Sequence, residues 1–196
     1  MFPTLVWKLQ LQPTFRAALD PRILALLESM RRDRPAAGEG WQSATTLHER
    51  EELRELVACV EHAARGVLRF LRVGVDELQT TGCWATILAC GAAHRVHSHP
   101  NNFLSAVYYL RVHPGADSIN FHDPRAQTGI IRPPVTALTA ENTDQVVVRV
   151  TGGTLLVFPS WLQHSVDATT AERERISISF NLMFPSFPEH VAKPLW

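Results

Sequence analysis

The stretch His97-Ser98-His99-Pro100-Asn101-Asn102 carries two histidines one residue apart, and a third closes Phe158-Pro159-Ser160-Trp161-Leu162-Gln163-His164. Side chains alternate along an extended backbone, so His97 and His99 would point to the same side of a strand. The apolar run Thr154-Leu155-Leu156-Val157-Phe158 just before the second motif reads as a buried strand that delivers His164 to the same place. Three imidazoles brought together suit a first-row divalent metal. An isolated histidine beside a strand is more often a satisfied structural group, and only the pairing with a distal partner lifts these three above that reading. His48, His62, His113 and His190 fall on predicted helical or loop surface, whereas His94 and His122 are near enough to the motif to back a ligand or face a substrate. Further on, Arg175-Ile176-Ser177-Ile178-Ser179-Phe180-Asn181 alternates polar and apolar residues strictly, which predicts a strand with two unlike faces.

From Cys83 the chain breaks into short runs rich in branched and aromatic residues, at 83–88, 103–112, 118–121, 129–132, 145–150, 154–158 and 176–183. That texture predicts an antiparallel sandwich or barrel. Gly152-Gly153 between two of the runs predicts a hairpin turn. The first part reads as helical. Alternation over Leu5 to Gln12 suggests an opening strand. Asp20-Pro21 looks like a helix start for Ile23, Leu24, Leu26, Leu27 and Met30, and Pro35 to Gln42 like a loop. Thr46-Leu47-His48-Glu49 fits a capping box ahead of an amphipathic helix carrying Leu53, Leu56, Val57, Val60, Ala64, Val67, Leu68 and Leu71. The expectation is one domain over 1–196, mainly β with N-terminal helices. Helical support spans about 13–73 and packs on one outer face of a sheet core at about 80–184.

Composition excludes some classes. With 19 basic and 19 acidic side chains among 196 residues, neither nucleic acid nor an anionic membrane surface is expected as a partner. Three cysteines without metal-knuckle spacing fit a reducing compartment, the N-terminus lacks a signal-peptide pattern, and no apolar stretch approaches a membrane span. A cytoplasmic location is expected, and a homodimer stays open.

The order His97-Ser98-His99-Pro100-Asn101, Val107-Tyr108-Tyr109-Leu110, Phe121-His122-Asp123-Pro124-Arg125, Phe158 to His164 and Arg175 to Asn181 resembles a bacterial family of 2-oxoglutarate, Fe(II) oxygenases over about half the chain. The resemblance implies a double-stranded β-helix, a jelly-roll or cupin-like barrel whose mouth holds iron. It also implies oxidation of an unknown small-molecule or side-chain substrate, with release of succinate and carbon dioxide. Arg175 and Ser177 would grip the distal carboxylate of 2-oxoglutarate. Tyr109 would be a second donor to it, with Tyr108 turned away into packing.

The wider superfamily places a carboxylate where this chain has His99. Three alternatives stand: His99 ligates the iron, His99 stands behind two histidine ligands, or Asp123 supplies a carboxylate. Asn101, Asp123, Trp161, Asn181 and His94 are candidates to orient a ligand or meet the substrate, although a plain turn role suits Asn101 equally. Substrate choice is expected to rest on loops around 91–96, 121–134 and 136–144. A cupin-type three-histidine dioxygenase or ligand-binding barrel without 2-oxoglutarate is the competing reading, and a non-catalytic scaffold the third. Arg175 and Ser177 discriminate, because only the first reading needs a carboxylate anchor.

Overall fold

A computed structural model describes residues 3–75, 77–125, 133–139 and 141–186. Among these, strand β1 (Trp7–Gln10) precedes helix α1 (Pro13–Met30), strand β2 (Gly40–Gln42) and helix α2 (Arg54–Phe70). Eight strands follow: β3 (Gln79–Leu88), β4 (His94–His97), β5 (Leu104–Arg111), β6 (Ser118–His122), β7 (Gln145–Arg149), β8 (Thr154–Pro159), β9 (His164–Val166) and β10 (Arg175–Met183). They form two antiparallel sheets, one in the order β1-β8-β5-β10-β3-β2 and the other β4-β9-β6-β7. From β3 to β10 each strand crosses to the other sheet, except that β6 and β7 stay paired in the smaller one, which is the winding of a double-stranded β-helix.

Period-two alternation explains how the larger sheet buries both faces. Cys83, Ala85 and Ile87 of β3, Ala106 and Tyr108 of β5, Leu155 and Val157 of β8, and Ile176, Ile178 and Phe180 of β10 join one core. Leu19, Ile23 and Leu27 of α1 and Leu56, Val60, Ala64, Val67 and Leu68 of α2 complete it from the outside. The intervening residues Leu88, Val107, Tyr109, Leu156 and Phe158 face the other way. They meet Ile119, Phe121 and Val166 of the smaller sheet inside the barrel.

Several expectations are corrected. Helix α1 starts at Pro13, not at Asp20-Pro21, and Pro21 lies inside it. Pro13 at the first helical turn has the φ a helix start wants. Asp20 serves instead as acceptor for the buried Tyr108 hydroxyl at 2.5 Å and as ion-pair partner of Arg16 at 2.8 Å, tying α1 to β5. The Thr46 capping box does not form. Glu49 N–H donates to the Thr46 carbonyl, opening two 3-10 turns (Leu47–Glu49 and Glu51–Leu53) before α2. Leu71 is 41% exposed rather than part of the buried stripe. Gly152-Gly153 is not a hairpin, because β7 and β8 belong to different sheets. The turn carries the chain across the barrel edge, with Gly153 at φ +86° and its N–H donating to the Tyr109 carbonyl. A Cβ at Gly153 would meet only the outer part of the Arg16 side chain, which can move, so it is the positive φ that calls for glycine. Strand β2 lies within the stretch read as loop, β4 overlaps the loop read at 91–96, β9 is not among the predicted runs, and the run at 129–132 lies outside the described residues.

Candidate metal centre

His97 ends β4 and pairs in register with His164, the first residue of β9. A register irregularity between His94 and His97 brings the two rings together despite their odd spacing, with centroids 6.0 Å apart, and leaves His97 exposed. His99 lies just past the strand, where its N–H donates to the Ser160 carbonyl. Ligand nitrogens of His97, His99 and His164 all fall within 4.8 Å of one another, and His164 is 4% exposed.

The hydrogen bonds set the tautomers. His97 Nδ1 faces the Arg95 carbonyl at 2.8 Å and His164 Nδ1 the Leu162 carbonyl at 2.9 Å. A carbonyl only accepts, so each Nδ1 carries the proton and each Nε2 presents a lone pair. His99 Nε2 lies 3.3 Å from His164 Nε2. Metal–nitrogen bonds of about 2.0–2.1 Å at angles near 90–110° separate two ligand nitrogens by about 2.9–3.4 Å. The donor set therefore fits a divalent metal. Burial, and then the neighbouring histidines, pushes both His99 and His164 down to about 4, partly opposed by Asn181 at His99 and by the Leu162 carbonyl at His164. Neutral imidazole is the form that ligates.

The backing of His99 comes from β3 and β10. Its ring stacks on Trp84 at 5.4 Å. Ser105 Oγ lies 2.9 Å from Ser160 Oγ and donates to Asn181 Oδ1 at 3.1 Å, so one polar network holds the strand under His99. Asn101 adopts φ +63° in the turn after Pro100. Asp123 is engaged by Arg125 through contacts of 2.6 and 2.9 Å, which hold its carboxyl below the usual range, and it is not in the histidine cluster.

Deeper in the barrel, the polar face of β10 points inward. Arg175 pairs with Leu88, and Ser177 pairs with Thr86 on one side and Tyr109 on the other. Arg175 is 2% exposed, its carbon Cζ sits 5.1 Å from the Tyr109 ring centre, and one Nη donates to the Ser118 carbonyl at 3.3 Å. Burial lowers the Arg175 pKa from its ordinary value and raises that of Tyr109 to about 12. Arg175 Nε, Tyr109 Oη and Thr86 Oγ1 are buried without a hydrogen-bond partner among the described residues. Three orphaned polar groups on one wall fit the carboxylate of a bound anion. His94 lies between this wall and the histidines, feeling the charges of both Arg175 and His97.

Thr86 and Trp84 were missed from the sequence. The signal was present as the alternation Trp84, Thr86, Leu88, but its meaning depends on β3 pairing with β10.

A family model described as "Putative 2OG-Fe(II) oxygenase" matches residues 82–181, about half the chain. The chain belongs to this family of 2-oxoglutarate, Fe(II) oxygenases. The carbocyclase SnoK from nogalamycin biosynthesis is 18% identical at a TM-score of 0.66, over 92% of this chain and 80% of that one. A Pseudomonas putida prolyl-4-hydroxylase is 17% identical at 0.61, over 92% and 93%. HygX from Streptomyces hygroscopicus, solved with nickel and 2-oxoglutarate bound, is 14% identical at 0.63, over 95% and 85%. At these identities the likeness is one of fold. No curated protein matches the chain.

Proposed function

We propose that the chain is an oxygenase in which His97, His99 and His164 hold Fe(II) while Arg175, Ser177, Tyr109 and Thr86 anchor the distal carboxylate of 2-oxoglutarate. The carrying observation is the pairing, inside one barrel, of three converging imidazole lone pairs with a buried guanidinium that lacks a full set of acceptors. When bound, iron and 2-oxoglutarate together supply oxidation of an unactivated C–H bond, coupled to loss of carbon dioxide and formation of succinate. The protein's part is to orient and to exclude water.

Arg175 offers a planar fork of donors to a carboxylate, and the Ser177, Thr86 and Tyr109 hydroxyls add donors beside it. Such an anchor fixes the length of the acid that reaches the histidines. The 3.3 Å spacing to His164 supports His99 as a ligand, and the Arg125 pair argues against Asp123 in that role. A third imidazole in place of a carboxylate leaves the site one unit more positive, which favours a dianionic cosubstrate. A cupin-type barrel without 2-oxoglutarate would have no use for a buried, under-satisfied arginine. HygX with 2-oxoglutarate bound and SnoN with Fe3+ and alpha ketoglutarate give the same direction from structures of this fold. No helix among the described residues is long and apolar enough to cross a membrane. The free thiols of Cys59, Cys83 and Cys90 support our assignment of the enzyme to the cytoplasm, where it acts on a small molecule or a side chain.

The test has two parts. Fe(II)-dependent conversion of 2-oxoglutarate to succinate is expected, together with a visible charge-transfer band on anaerobic mixing of protein, Fe(II) and 2-oxoglutarate. Absence of both would overturn the reading.

A further inference from the structure

A cavity of about 800 Å³ lies near the three histidines, behind Phe121 and Leu162 of its lining. It lies at the same end of the barrel, because the end of β6 and the start of β9 are paired there through Phe121 and His164. Two of its walls are one side chain away from the metal centre. Phe121 stands 6.1 Å from the His164 ring, and Leu162 gives its carbonyl to His164 Nδ1. Val6, Val146 and Val148 continue an apolar lining, and Trp161, 55% exposed, stands at the rim.

The charged groups around this cavity already have partners. Asp123 and Arg125 pair with each other at 2.6 Å, so their charges cancel locally. His122 Nε2 meets Ser165 Oγ at 2.9 Å, and Thr143 Oγ1 donates to the Gln145 carbonyl at 2.7 Å. Asp144 is engaged as well, and its carbonyl accepts the Asp123 N–H. A charged guest would lose water here without an unpaired charge to meet it. A flat uncharged guest would lose little and gain apolar contact and stacking on Trp161. The volume suits a drug-sized ring system.

We propose that this cavity receives the primary substrate and selects an uncharged, ring-based small molecule over zwitterionic amino acids and aminoglycosides. The proposal rests on the histidines being the reaction centre.

The experiment is calorimetric titration of a matched pair, 2-(hydroxymethyl)anthraquinone and anthraquinone-2-carboxylate, into anaerobic protein loaded with Mn(II) and 2-oxoglutarate and into metal-free protein. The neutral compound is expected to bind at least ten-fold tighter than the carboxylate. Trp161→Ala and, separately, Val146→Asp at a half-exposed wall position should each weaken it at least five-fold, with 2-oxoglutarate affinity unchanged in the same samples. The proposal is overturned if the carboxylate or kanamycin binds tighter, if neither variant matters, or if the neutral compound does not bind. Failure of wild-type protein to bind 2-oxoglutarate would instead sink the oxygenase assignment, and the metal-free titration still reports on the cavity.

Discussion

Replacing Arg175 by leucine should move ligand binding and stability in opposite directions. The guanidinium is 2% exposed, its hydrogen bond to the Ser118 carbonyl is long at 3.3 Å, and its Nε has no acceptor among the described residues. Without an anion in the pocket, the protein therefore carries a buried cation that is poorly repaid for its lost hydration. Leucine keeps apolar bulk and removes the charge, so the ligand-free variant should gain on the order of 1–3 kcal/mol. For a chain of this length that raises Tm by roughly 2–10 °C. With 2-oxoglutarate the sign reverses. Losing a buried partner of a hydrogen-bonded carboxylate costs about 2–5 kcal/mol, or about 30- to 5,000-fold in Kd. Arg175→Lys should recover only part of it, since the charge returns without the fork. The assays are calorimetric titration of 2-oxoglutarate into the anaerobic Mn(II) protein and thermal unfolding of the metal-free protein. Equal affinity in wild type and Arg175→Leu would refute the anchor. A large fall in ligand-free Tm would refute the claim that the cation is under-compensated.

His164→Ala should lose bound metal, while His94→Ala, outside the cluster of converging nitrogens, should keep it; metal content of the purified variants decides this. His99→Leu should weaken Mn(II) binding at least ten-fold and His99→Asp should retain it, with unchanged affinity in His99→Leu leaving a two-histidine centre. Tyr108→Phe should cost about 1.5–3 kcal/mol in urea unfolding, the range for a hydrogen bond to a charged group, here the link from β5 to Asp20 of α1. Glu28, whose carboxyl the Arg31 hydrogen bonds hold below the ordinary 4.5, contributes stability above pH 4.5 that disappears as pH falls through its lowered value. Urea midpoints of wild type and Glu28→Gln should accordingly differ at pH 7 and converge at low pH.

The barrel strands were legible because both faces of the larger sheet are buried. Runs such as Thr154–Pro159 then become continuous apolar segments bounded by turn residues. Strand β10 was legible for the opposite reason, since its inner face is polar and its outer face is not. The three histidines could be found because a close pair is followed by a distal partner behind a legible strand, although the strand reading of the pair fails at His99, which lies past the end of β4. Short elements were not legible. Strand β9 spans His164–Val166, too few residues to show a period, and β4 carries an irregularity that breaks the alternation it would otherwise display. Asp20-Pro21 misled because a helix-start signal is local. The use of Asp20 by Tyr108 and Arg16 is a contact across 88 positions in one case and four in the other.

Thr86 shows where single-strand reasoning stops. Its hydroxyl matters only because β3 pairs with β10 so that Thr86 stands opposite Ser177, which in turn stands opposite Tyr109. Of the six buried side-chain atoms left without partners among the described residues, three belong to Thr86, Tyr109 and Arg175. Around them the barrel is lined by Leu88, Val107 and Leu156, which would pack equally well against apolar replacements. Each orphaned group costs about 1–3 kcal/mol in the ligand-free protein. An anion that satisfies all three returns that cost on binding, and at 100 times its Kd it adds about 2.7 kcal/mol to the folded state. The instability of this wall and its affinity for a carboxylate are thus one property, measured with the pocket empty and with it filled.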